Sequence, residues 1–185
     1  MTSTRLSRGI AAAGLVAALA LGGCGAHPGS AAVVDGERIS ESDLDRAVAD
    51  FAAVTGQQID SPTMLSTLVV APMILDVAAE YGVAASDDEA SALLDRQAEA
   101  SGLPVPEDGY GSGVLQIAKM TIVNQTMSVS PDGNAAMGDV NTRITEADVE
   151  INPRYGEFDP SGQVVPQALP WIEVGQEPMQ VQPAS

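Results

Sequence analysis

The chain has 185 residues, 25 of them acidic and 8 basic, and a formal charge of −17. A surface this acidic repels phosphate backbones, and with Lys119 the only lysine the electrostatic footprint of nucleic-acid binding is missing. One cysteine and one histidine leave no intrachain disulfide and no clustered soft ligands for a metal, so stability must come from a packed core or from partners.

Arg5 and Arg8 precede an apolar run, Gly9 to Leu21, that is shorter than the ~20 residues a bilayer span needs. It reads as a signal peptide covering residues 1–23. The run closes in Leu21-Gly22-Gly23-Cys24, which resembles the bacterial lipobox, where a lipid is placed on the thiol and cleavage falls just before it. That resemblance implies lipid attachment at Cys24 and residence on the extracytoplasmic face of a cell membrane. Two or three acyl chains hold far more firmly than one, so the lipid would serve as a lasting anchor. With Arg5 and Arg8 gone, residues 24–185 carry six basic and all 25 acidic side chains. Gly25 to Ser30 form a linker that reaches about 20 Å when extended. His27 falls in this linker, where a tether rather than a scaffold would have to position it as a base.

The domain is expected over 31–156. Ala31 to Val34 is a short apolar run ending in Asp35-Gly36, a dipeptide that favours a tight turn, with Ile39 resuming apolar character. Leu44, Ala47, Val48, Phe51 and Val54 follow helical spacing, with Ser40 or Ser42 as N-cap and Gly56 as the stop. Asp43 and Asp45 suit the positive end of that helix. Met64 to Tyr81 reads as a buried central helix entered through Ser61-Pro62, with a kink or break expected near 68–71 because Pro72 removes one intrahelical bond. Ser86-Asp87-Asp88-Glu89 is a capping-box pattern opening a third helix that stops at Gly102. Its apolar face is thin (Ala90, Leu93, Leu94, Ala98), and the acids around Asp87 read as a solvated helix start.

Leu103 to Gly113 is a loop, and a fourth helix runs from Val114 to about Gln125 before Ser130-Pro131-Asp132-Gly133 interrupts it. Residues 134–143 are weakly helical, and Thr145 to Ile151 reads as a strand that pairs with Val33 and Val34. Residues 157–185, rich in Pro, Gln and Gly, read as a disordered tail, with Leu169-Pro170-Trp171-Ile172 its one segment able to dock. The expected fold is mainly α, with four to five helices and a short two-stranded β element joining the N- and C-terminal segments.

Ala32-Val33-Val34-Asp35-Gly36-Glu37-Arg38-Ile39-Ser40 leading to Asp43-Leu44 resembles the opening of the SurA N-terminal, trigger-factor-like peptide-binding family. Val149 to Gly156 with Phe158-Asp159 is similar to the segment that follows the helical core in lipoprotein members of that family. The resemblance implies a helical domain that cradles unfolded or extended segments of exported proteins. Members often carry a parvulin prolyl-isomerase unit with an inward histidine pair and a Gly-Asp-Leu-Gly run. This sequence has one histidine and Gly138-Asp139-Val140-Asn141, so binding without isomerase activity is what remains implied.

The residues themselves show no phosphate loop, nucleophile elbow or triad, which points away from an enzyme and from any cofactor or metal. Methionines on the predicted helices suit a surface that repacks against varied partners, but in a chain with so few aromatics core filling is the weightier reading. Met64, Leu68, Met73, Met120 and Met127 are the candidate client-binding groove. The competing expectation is an adaptor lipoprotein that holds one specific envelope partner.

Overall fold

The computed structural model describes residues 28–167. The signal peptide, Cys24, most of the linker with His27, and Leu169 to Ile172 lie outside the described residues.

The chain is mainly α, with five helices and two small antiparallel sheets among the described residues. β1 (Ser30–Val34) and β2 (Glu37–Ser40) form a hairpin whose two turn residues, Asp35 (φ 50°) and Gly36 (φ 86°), both take left-handed conformations. That geometry matches the twist of the flanking strands and explains why Asp-Gly stands there. β3 (Val149–Ile151) pairs antiparallel with the other edge of β1, setting Val34 opposite Val149 and Ala32 opposite Ile151. The expected pairing with Val33 and Val34 is therefore present. β2 adds a third strand, and Thr145 and Glu146 belong to the preceding helix instead of to the strand.

α1 (Glu41–Thr55) begins at Ser40, whose hydroxyl accepts from the Asp43 amide while the Asp43 carboxylate accepts from the Ser40 amide. Gly56 ends it in the left-handed conformation. α2 (Ser61–Glu80) is capped by Asp60 and has Pro62 in its first turn, where a missing amide hydrogen costs nothing. Of the kink or break expected near 68–71, the break does not occur: the helix is continuous from 61 to 80. Leu68, Val69, Ala71 and Met73 are all buried, and packing on that scale outweighs the ~3 kcal/mol an interior proline costs. α2 is the one described helix long and apolar enough to cross a membrane, and here it is the central helix of the domain, packed against α1, β1 and the later helices.

α3 (Asp87–Ala100) opens with the expected Ser86–Glu89 capping box, and Asp87 forms an ion pair with Lys119. α4 (Ser112–Ser128) and α5 (Gly133–Glu146) are both longer than the periodicity predicts. Val54, Ala90, Leu94, Val114 and Ala118 make a small cluster where α3 meets α1 and α4. The main core, centred on Leu44, Met64, Leu65, Val69 and Val123, joins α1, α2, α4 and α5 to the sheet.

The ordered part continues past residue 156, where the sequence reading ends the domain. β4 (Glu157–Phe158) and β5 (Val164–Val165) form a hairpin laid on α2. The Val164 amide donates to the Ser66 hydroxyl at 2.7 Å, and Val164 itself is buried. Gly162, at φ 84°, packs on Val70 and Ile144, and a Cβ there would stand 3.2 Å from Val70 Cγ2 in a backbone conformation that other residues rarely adopt.

Candidate functional site

A cleft of about 410 Å³ lies between the β1–β2 hairpin and helices α2 and α4. Strand alternation places it. Val34 and Glu37 are cross-strand partners, as are Ala32 and Ile39, so these four side chains share one face of the hairpin while Val33 and Arg38 take the other. Val34 and Ile39 supply one wall; Leu68, Val69, Pro72 and Met73, successive turns of α2, supply the floor. α4 enters beside it at Ser112, Gly113 and Gln116. Gly113 allows that approach, because a Cβ there would stand 2.8 Å from the Ala47 Cβ and 3.2 Å from Leu68 Cδ2.

The rim is charged. Asp35, Glu37, Asp43 and Asp76 line it together with Arg38 and Arg143. Arg143 donates to Glu80 at 2.8 Å, so its charge is already met. Arg38 donates to the backbone carbonyls of Gly29 (2.7 Å) and Pro28 (3.2 Å), which draws its guanidinium toward the start of β1. The Asp35 carboxylate accepts from the Asp148 amide, and Asp43 is occupied in the α1 cap. Glu37 and Asp76 are exposed and join no ion pair among the described residues.

The titratable groups with shifted proton affinity all lie outside the cleft. Hydrogen bonds from Thr63, Ser86 and Ser161 hold Asp60, Glu89 and Asp159 below the usual carboxylate range. Burial, then a hydrogen bond to Asp95, pushes the Tyr110 phenol up to about 12, and the hydrogen bond to Asp139 raises Tyr81. These are caps and ties between elements. Among the described residues no group of three or more His, Cys, Asp or Glu stands where it could hold a metal ion. The cleft offers shape, apolar surface and charge.

The five residues expected to form one groove are not brought together as one. Leu68 and Met73 reach the cleft floor, although each is only about 5% exposed, at 4% and 5%. Met64 is fully buried at 0% and is a core residue. Met120 is half-buried on α4 and does not line the cleft. Met127, 8% exposed, sits at the α4–α5 corner beneath a separate depression of about 380 Å³ that includes Ile74, Met137 and Val140. The thioethers act chiefly as core filler. The hairpin wall and the charged rim were missed by sequence reasoning, because Val34 and Ile39 meet Leu68 and Met73 only through the tertiary fold.

No protein-family model, no curated protein and no solved structure matches this chain.

Proposed function

We propose that this protein is a lipid-anchored, extracytoplasmic module that holds extended or unfolded segments of exported proteins in the hairpin–α2–α4 cleft without acting on them chemically. The observation that supports the reading is the cleft itself. Its floor is a row of apolar side chains, it opens to solvent through a polar rim, and its volume lies in the ~300–1,000 Å³ range of binding clefts. The lipobox-like Leu21 to Cys24 supports the anchor, and the resemblance of 32–44 and 149–159 to the SurA N-terminal family supports the client class.

The test uses the lipid-free chain from Gly25 to Ser185, added near-stoichiometrically to a chemically unfolded exported protein, with light scattering read across a salt titration. Suppression that survives salt is expected, because burial of apolar surface is weakly screened. Ser112→Trp places a large side chain at the cleft mouth from an exposed position, and it should remove suppression while the far-ultraviolet spectrum stays unchanged. Suppression by neither protein, or by both equally, would sink the reading.

The α4–α5 corner favours a second reading, an adaptor for one envelope partner. Val129 and Met137 are 84% and 57% exposed there, and the depression that Met137 lines has no charged residue in its lining. An apolar patch on so acidic a chain is a natural contact surface. If Met137→Glu removed association with a single envelope protein while client holding persisted, the adaptor reading would gain.

A further inference from the structure

The charges around the cleft are not balanced, and their imbalance selects among clients. Four carboxylates line the rim against two guanidinium groups. One of those cations is bound by Glu80, which lies outside the lining, and the other is turned onto the carbonyls of Pro28 and Gly29. Glu37 on the hairpin and Asp76 on α2 both line the cleft, and both are solvent-exposed. A segment held in the cleft therefore has carboxylates from two different elements within its lining.

We propose that the preferred occupant of the cleft is an extended polypeptide segment in which one bulky apolar side chain is flanked on both sides by lysine or arginine. The proposal rests on the client-holding reading and names its client class. The apolar side chain enters between Ile39 and Met73, and the flanking cations pair with Glu37 and Asp76. Segments flanked by acids are rejected by the same two carboxylates and by the excess of 25 acidic over six basic side chains in residues 24–185. Exposed pairs are individually weak, so two of them together should favour a cationic segment by about tenfold over a neutral one.

The experiment measures fluorescence anisotropy of labelled hexapeptides that share a Leu-Phe core and differ only in having Lys, Gln or Glu at the two flanks. The protein is the lipid-free chain from Gly25 to Ser185, with two charge-matched double variants. Glu37→Gln with Asp76→Asn removes the rim carboxylates, and Glu107→Gln with Asp108→Asn removes two exposed carboxylates from the α3–α4 loop, outside the cleft. The order Lys over Gln over Glu is expected, narrowing as salt rises. The rim variant should lose most of the preference, and the loop variant should keep it. Equal binding of all three peptides overturns the charge selectivity and leaves client holding standing. Binding of none overturns client holding, and the selectivity with it. Equal loss in both variants assigns the preference to overall charge and overturns the role of Glu37 and Asp76.

Discussion

Replacing Gly113 with alanine should destabilise the domain, against the usual expectation for glycine in a helix. In an unobstructed helical site Gly→Ala gains up to about 1 kcal/mol, from helix propensity and a less flexible unfolded chain. At Gly113 the new Cβ would lie 2.8 Å from the Ala47 Cβ, well inside the ~3.5–4.0 Å of an ordinary carbon contact. Ala47 is 1% exposed and its Cβ is fixed to α1, so relief requires moving one helix against the other. Overpacking of this kind costs about 1–3 kcal/mol, which leaves a net loss of about 1 kcal/mol. Gly138 on α5 is the matched control, since a Cβ there meets nothing within 4 Å and the residue is helical. Gly138→Ala should gain about 0.5–1 kcal/mol. Urea unfolding followed by circular dichroism should therefore move the two midpoints in opposite directions. The matching thermal shifts are roughly 3 °C per kcal/mol for a domain of this size. A rise at Gly113 equal to that at Gly138 would show that α1 and α4 are not in tight contact, and the entry of α4 beside the cleft would have to be redrawn.

Met64→Ala should cost about 3 kcal/mol of stability while leaving peptide affinity per folded molecule unchanged, because Met64 is wholly buried and does not line the cleft; isothermal titration beside urea unfolding separates the two effects. Truncation after Tyr155 should cost about 2–4 kcal/mol relative to truncation after Gln167, as it uncovers Val70 and Ile144 and removes buried Val164, and differential scanning calorimetry reads the gap. Acidification should remove the part of the stability that Asp60, Glu89 and Asp159 supply. Their folded-state pKa values lie below the ordinary 3.8 to 4.5, so the contribution is full above that range and fades as pH falls through the lowered values. Asp60→Asn, Glu89→Gln and Asp159→Asn combined should make unfolding less dependent on pH below about 4.5 than in the parent chain, and an unchanged slope would remove these caps from the acid response.

Local chemistry was legible in the sequence. The Asp35-Gly36 turn, the Ser86–Glu89 box and the Gly56 stop each depend on residues within a few positions of one another, and each stands where the pattern puts it. Distant contacts were not. Pro72 reads locally as a break, and only the helices and sheet around α2 keep the helix continuous through it. The Glu157–Val165 hairpin is too short and polar to announce itself; its order comes from Ser66, Val70 and Ile144, far away in the chain. The methionines show the same limit from the other side. Helical spacing places Met64 and Met127 on apolar faces, but it does not say that those faces close on each other.

The position of the cleft ties client holding to the proposed anchor. β1 carries both, since Val34 forms part of the cleft wall and Ser30 begins only six residues after Cys24. Arg38, opposite Val33, fastens the strand's entry by gripping the Pro28 and Gly29 carbonyls. From Cys24 to Pro28 an extended chain spans about 13 Å, so a lipid on Cys24 would hold the hairpin within that distance of the bilayer surface. α5 begins at the uncharged α4–α5 corner and, ten residues or about 15 Å on, brings Arg143 to the cleft rim. The two candidate surfaces adjoin: Val140 lines the depression one turn before Arg143 lines the cleft, and Ile74 follows Met73 on α2. If the proposed anchor holds, a client in the cleft and a partner on Met137 would therefore sit side by side, and a large occupant of one would crowd the other.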